Sequence, residues 1–188
     1  MKRVLSLMLL QSVLLAAAAQ SITYCSKYYY TVWSVPLQIP TEVRWTVHRS
    51  DIGNAERSPS WKFKSDLPKT VMWASHNDYT GTGYDRGHMC PAQDRSQSIS
   101  MMKQTFYISN VCPQLHSINA GSWKTTENYE RTLAKRVGKC RVIAMPLMLE
   151  RDTVRIGASG VAVPHAFLKI IYDVQPDTLY SIFFIWNK

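Results

Sequence analysis

The stretch Ser122-Trp-Lys-Thr-Thr-Glu-Asn-Tyr-Glu-Arg-Thr-Leu-Ala-Lys-Arg-Val137 is the clearest helical segment of the chain, and what flanks it sets the fold class. Thr126, Tyr129, Leu133 and Val137 recur at steps of three and four, which predicts one inward face of a helix. Lys135, Arg136 and Lys139 gather at the end where cations suit the helix dipole, and Gly138 can take the left-handed cap. Trp123, Glu127 and Arg131 form a second stripe, with Glu127 placed four residues ahead of Arg131 for a favourable ion pair. Downstream the chain reads as strands over 142–149, 161–163, 167–174 and 179–186, the last two flanking a turn at Gln175-Pro-Asp-Thr178. Upstream, 105–111 is a short apolar run expected to be a buried strand ending at Cys112-Pro113. Residues 45–48 could form another strand, and 24–35 are β-prone. Residues 54–68 read as a loop bearing Arg57, Lys62 and Lys64, and 75–87 as irregular backbone at a surface. One central helix with strands on either side predicts an α+β fold with a largely antiparallel sheet.

Composition agrees with a folded domain and excludes disorder or collagen-like repetition. Of 188 residues, 46% are hydrophobic and 19% charged, with six Trp and ten Tyr to fill a core. A domain of this size removes roughly 70% of its unfolded surface from water, so its stability requires neither a metal nor a disulfide. No repeat or Pro/Gly/Ser-rich linker divides it, and one domain over 20–188 is expected. Residues 1–19 read as a cleaved signal peptide, with Lys2 and Arg3, an apolar run, and small residues Ala17-Ala18-Ala19. The run is interrupted by Ser6, Gln11 and Ser12 and falls short of the ~20 residues that span a bilayer, so no stable membrane anchor is expected after cleavage. The expected location is therefore secreted or periplasmic. The formal charge is +9, and the 1–19 segment holds only two of the cations, so the folded part is basic and suited to polyanions. Four cysteines, Cys25, Cys90, Cys112 and Cys140, in an exported chain predict one or two disulfides.

The chemistry concentrates in two segments. Tyr84-Asp85-Arg86-Gly87-His88 puts a carboxylate, a guanidinium and an imidazole within four positions, with a glycine that lets backbone approach a ligand. Hydrolysis of a phosphodiester needs a base for water, neutralisation of a pentavalent phosphorane, and support for an alkoxide leaving group. Histidine, with an ordinary pKa of ~6.5, can take the proton, and a divalent cation can meet the other two needs. Thirty-one residues beyond His88, Asn119-Ala-Gly-Ser-Trp-Lys-Thr-Thr-Glu127-Asn-Tyr-Glu-Arg131 sets an amide oxygen ahead of the helix and Glu127 and Arg131 on one of its faces. Mg2+ prefers oxygen ligands and keeps several waters, so one amide with a supporting carboxylate can anchor it. The same residues also admit plainer roles: Asn119 as a helix cap and Glu127 as the partner of Arg131.

Together these segments resemble the DNA/RNA non-specific endonuclease family, ββα-metal nucleases marked by an Asp-Arg-Gly-His motif. The likeness runs from Asp78 to His88, through Cys90-Pro-Ala-Gln-Asp94 and Thr105-Phe-Tyr-Ile-Ser-Asn-Val-Cys-Pro-Gln114, to 119–131, giving core motifs over 78–131 of a nuclease domain. It resumes weakly at Val161-Ala-Val-Pro164 and Phe167-Leu-Lys-Ile-Ile171. The resemblance implies a β-hairpin and one helix clasping a metal, with DNA and RNA bound through phosphates and cut to 5′-phosphate and 3′-hydroxyl ends. It implies His88 as general base, Asn119 as the direct ligand of Mg2+, with Mn2+ a possible substitute, and Glu127 as a carboxylate holding metal-bound water. Arg86 and Arg131 would support the site and its phosphate. Arg57 would be the cation facing the transition state, with Arg44 or Arg49 as alternatives. Asn110 and Gln114 would give supporting contacts, and Asp85 would orient the motif.

Two other readings use the same residues. His88-x-Cys90 and Cys112-x3-His116 could supply the four ligands of a structural zinc, making a zinc-stabilised binding module. A nuclease-like fold could also bind nucleic acid without cutting it, although the intact set His88, Asn119 and Glu127 argues for activity. Finally, Cys90 and Cys112 each lie two residues beyond a motif residue, His88 and Asn110. If those segments are neighbours, a disulfide between the cysteines would fix the distance between them.

Overall fold

The structure is a computed structural model that describes residues 21–67, 73–149, 153–173 and 178–188. The expected signal segment 1–19 and the turn at 175–177 lie outside the described residues. Strands β1 (Ser21–Cys25), β2 (Tyr30–Ser34) and β3 (Ile39–His48) form a meander. They are followed by β4 (Tyr84–His88), a short helix α1 (Ile99–Lys103), β5 (Val111–Leu115) and the main helix α2 (Lys124–Val137). The chain ends with β6 (Lys139–Leu147), the short pair β7 (Arg155–Ile156) and β8 (Val161–Ala162), then β9 (Ala166–Asp173) and β10 (Thr178–Trp186). Six strands make one antiparallel sheet in the order β1-β2-β3-β6-β9-β10, and β4 and β5 make a separate antiparallel ribbon. The fold is α+β and largely antiparallel.

Alternation along the central strands explains which face α2 covers. Val43, Trp45 and Val47 of β3, Cys140, Val142 and Ala144 of β6, and Phe167 and Ile171 of β9 are buried, while Arg44 and His48 point to water. Helix α2 packs on β3 and β6 through Thr126, Glu130, Leu133 and Ala134. The apolar stripe expected from periodicity is therefore rotated: Tyr129 and Val137 are exposed. The reason is a buried charge pair. Lys169 of β9 reaches Glu130 at 3.1 Å, both fully buried, with its ammonium 4.1 Å from the Trp123 ring centroid and 5.6 Å from that of Trp45. A pattern that counts only apolar residues places Glu130 outside, yet a charged residue goes in when its partner is already there.

Several local expectations are corrected. Part of the irregular segment 75–87 is a strand, because Tyr84–His88 pairs with Val111–Leu115, Asp85 opposite Gln114 and His88 opposite Val111. The strand expected over 105–111 starts later: Ile108–Asn110 is a 3-10 turn and the strand is Val111–Leu115. Pro113 is tolerated there since a two-stranded ribbon needs no donor on its open edge. Helix α2 starts at Lys124, after an irregular turn over Ile118–Trp123 kinked at Gly121. Gly138 does cap it at φ +97°, donating to the Ala134 carbonyl.

The disulfide expectation fails. All four cysteines are free thiols, with Cys90, Cys112 and Cys140 buried and Cys25 exposed. Cys140 instead points its thiol at the Glu130 carbonyl, 3.6 Å away, inside the core.

Candidate active site

The β4–β5 ribbon and the start of α2 meet around two buried anchors. Trp123, the last residue before α2, donates its indole N–H to the His88 carbonyl at 3.0 Å. Asn110, fully buried, accepts from the Cys90 amide at 2.8 Å and donates to the carbonyls of Cys90 and Thr105 at 2.9 and 3.0 Å. These bonds hold the chain at His88 and just beyond it. Gly87 is required for a different reason from the one its motif suggests: a Cβ there would overlap the buried Gln114 side chain, which lies across the ribbon. Both polar atoms of that Gln114 amide lack a hydrogen-bond partner among the described residues.

Asp85 organises the oxygen side of the site. Its Oδ2 accepts from Asn119 Nδ2 at 2.9 Å and lies 2.8 Å from His116 Nδ1. A carboxylate can only accept, so the amide atom facing it must be nitrogen, and Asn119 Oδ1 is left for another partner. On α2, Glu127 is partly buried and its carboxyl is pushed up to about 7 by burial, with the cations Lys169 and Arg131 opposing the shift. Arg131 is not tied to Glu127 as the helical spacing predicts. It donates to Asp94 Oδ1 at 3.0 Å and to Asn128 at 2.7 Å, while the other Asp94 oxygen accepts the Trp45 indole N–H.

His88 closes the other side. Its ring lies 4.8 Å from both Phe63 and Phe106, and its Nε2 lacks a hydrogen-bond partner among the described residues. Burial, and next the positive charge of Arg57, pull the imidazole down to about 3, so it is neutral at physiological pH. Arg57 rests on the Phe106 ring, 5.0 Å from its centroid, with its guanidinium exposed. Of Arg57, Arg44 and Arg49, it is the one the structure places beside His88. Arg44 pairs with Glu42, and Arg49 donates to the Arg136 carbonyl. Arg86 turns to the 3-10 turn His76–Tyr79, where its Nε and Nη2 donate to the His76 carbonyl and its Nη2 also to Thr80.

The zinc set does not assemble. Cys90 and Cys112 are buried in the core, His116 is exposed against Asp85, and no group of three or more His, Cys, Asp or Glu able to hold a metal occurs among the described residues. Residues that sequence reasoning missed are Phe63 and Phe106, which wall His88, and Asp94, which holds Arg131. Asp94 lies in the quoted 90–94 motif, but its role depends on Trp45 and Arg131, 49 and 37 residues away.

The family model described as DNA/RNA non-specific endonuclease matches residues 11–188. The chain belongs to this family. It is 42% identical over 131 residues to a protein named "Nuclease EXOG, mitochondrial" from Xenopus laevis, covering 64% of this chain and 36% of that protein. It is 34% identical over 128 residues to "Endonuclease G, mitochondrial" from Bos taurus, covering 63% and 43%, and 36% identical over 130 residues to "Nuclease C1" from Cunninghamella echinulata var. echinulata, covering 64% and 52%. The chain thus spans about a third to a half of the length of these relatives. Among solved structures, a chain in "Crystal structure of the EndoG/EndoGI complex: Mechanism of EndoG inhibition" superposes with a TM-score of 0.76 at 25% identity, covering 88% of this chain and 74% of that one. Asp85, Arg86 and His88 lie on β4, and Asn119 belongs to the turn that leads into the helix.

Proposed function

We propose that this chain is a sugar-non-specific endonuclease that hydrolyses phosphodiester bonds of DNA and RNA, leaving 5′-phosphate and 3′-hydroxyl ends. The observation that carries the reading is the Asp85–Asn119 contact, which spends the amide nitrogen and leaves the amide oxygen for a cation. Asn119 Oδ1 is a hard oxygen donor that would hold Mg2+, or Mn2+ in its place, and the Glu127 carboxylate would hold metal-bound water. When bound, the cation neutralises charge on the scissile phosphate and lowers the cost of expelling the 3′-oxygen. A carboxyl held near 7 by burial returns to its ionised form beside a divalent cation, so Glu127 and the metal favour each other.

His88 takes the proton from the attacking water. It meets the substrate neutral, and an anionic phosphate beside the ring opposes both burial and Arg57, raising its basicity toward the range a general base needs. Arg57, exposed next to the imidazole, supplies positive charge to the equatorial oxygens of the phosphorane. Arg131, clamped by Asp94, keeps a cation beside Glu127. Arg86 fastens the 76–80 turn to β4, and Gln114 and Asn110 support the ribbon. Contacts of this kind go to phosphates and not to base edges, which suits a nuclease without sequence preference. The basic charge of the chain gives the same substrate a steep salt dependence. Incubation of the pure protein with plasmid and total RNA, with Mg2+ and with EDTA, tests the reading: both polymers should be cut with Mg2+ and neither with EDTA. Intact DNA and RNA across a range of Mg2+ and Mn2+ concentrations would reject it.

We also propose that residues 1–19 direct export and are removed, which places the enzyme outside the cytoplasm. The relatives named above include mitochondrial nucleases, so the alternative destination is an organelle. Sequencing the N-terminus of the protein recovered from medium or periplasm separates the two.

A further inference from the structure

Next to the catalytic imidazole lies a cleft of about 360 Å3 whose walls include Trp61, Lys62, Lys64, Lys103, Phe106 and Tyr107. Its described lining holds three lysines and no acid. Lacking a carboxylate, the Lys103 ammonium rests on the Trp61 ring, 5.2 Å from its centroid. Such a contact on an exposed side chain is weak compared with a phosphate, so the ammonium is easily drawn off by an incoming anion. The cleft is also physically joined to the catalytic site. Trp61 packs edge-on against Phe106 with ring centroids 5.2 Å apart, and the same Phe106 contacts His88 and carries Arg57. Its backbone is fixed as well, since Lys64 bridges Tyr107 and exchanges hydrogen bonds with Phe106 and Ile108.

We propose that this cleft is a subsite for one nucleotide flanking the scissile phosphate, with the base stacked on Trp61 and its phosphates met by Lys62, Lys64 and Lys103. Partly exposed aromatic rings interleaved with lysines are the combination that holds single nucleotides without reading their identity, because every base has a π-face. The class of ligand is a nucleoside phosphate within a polynucleotide. A lone inorganic phosphate uses the lysines but not the indole. The subsite deepens the nuclease reading and rests on it for its place beside the cut.

The test is binding of a fluorescein-labelled thymidine octamer to the full chain in EDTA, read by anisotropy across a salt series, so that no cleavage is needed. Trp61→Leu keeps apolar volume against Phe106 but removes the indole. It should weaken binding on the order of tenfold with the salt slope unchanged, and Trp61→Tyr should restore most of the loss. Lys64→Ala or Lys103→Ala should each weaken binding and lower the slope by about 0.7, the value for one phosphate contact on a single strand. Lys135→Ala, on the far end of α2, should change neither. Equal affinity of wild type and Trp61→Leu, or a Lys135→Ala effect as large as those of the cleft lysines, would overturn the subsite. Cleavage assays separate the two ideas: a chain that cuts nothing in Mg2+ yet binds through Trp61 loses the nuclease reading and keeps the nucleotide-binding cleft without its place beside a cut, and one that cuts while ignoring Trp61 keeps the nuclease reading and loses the subsite.

Discussion

At Asn119 the amide can turn either way, and the Asp85 carboxylate decides that its nitrogen faces Asp85, which leaves the oxygen for another partner. The same residue scale governs His88, whose ring is walled by Phe63 and Phe106 and stays neutral down to about pH 3. The folded imidazole titrates below its ordinary value of 6.5, so as pH falls from 6.5 toward 3 the unfolded chain binds a proton that the folded chain refuses. His88 therefore contributes stability that is full above 6.5 and lost through that window. Glu127 acts in the opposite direction: raised from 4.5 to about 7, it favours the folded state at low pH and loses that contribution as pH rises to 7. Between 4.5 and 6.5 the two slopes oppose, which would hide either one in the wild type. Replacing His88 with Phe removes only the first. Denaturant unfolding in EDTA should show the variant gaining on wild type as pH drops from 7 to 5, by up to about 1.4 kcal/mol per unit. A difference that does not change with pH would mean that the imidazole is solvated.

At the scale of elements, the ribbon and the helix each carry one non-obvious constraint. Gly87→Ala drives a methyl into Gln114 and should cost about 1–3 kcal/mol by thermal or denaturant unfolding, with Gln114→Ser restoring part of it. No recovery in the double variant would mean that backbone, not side-chain overlap, sets the cost. Lys169→Met leaves Glu130 buried without its cation and should cost about 3–5 kcal/mol, whereas Lys169→Met with Glu130→Leu should return close to wild type. Why some elements were readable follows from the same contacts. The strands β6, β9 and β10 carry their β-rich character in local sequence, and the helix announces its end with Gly138. Tyr84–His88 does not read as a strand because Asp85, Arg86 and Gly87 are there for partners elsewhere in the chain: Asn119, the 76–80 turn and Gln114. The inward position of Glu130 depends on Lys169, 39 residues on, and the strand beginning at Val111 depends on Asn110 spending its amide on Cys90 and Thr105. Local pattern cannot express any of these.

For the whole molecule, the candidate site is legible in the sequence as a set of residues to propose, but not as an arrangement. The order of the motifs named His88, Asn119 and Glu127, while the contact of Arg57 with Phe106 and the aromatic wall of His88 come only from the fold. Cysteine content misled, because an even number of cysteines in a chain read as exported says nothing about whether the core brings two thiols together. In the structure burial pushes the thiols of Cys90 and Cys112 well above their usual range and that of Cys140 up to about 12. A thiol-reactive dye should therefore modify Cys25 alone in the native protein and all four cysteines after denaturation without reductant. Fewer than four in the denatured chain would reinstate a disulfide. The central claim, that His88 supplies the base and Asn119 the oxygen for a cation, is tested most directly by a Mg2+ titration of turnover for wild type, His88→Ala and Asn119→Ala. Turnover of His88→Ala should stay ~10² to 10⁴-fold down at every Mg2+ concentration, while Asn119→Ala should recover part of its activity as Mg2+ rises. Rescue of the His88 variant by Mg2+ with none for the Asn119 variant would contradict both assignments.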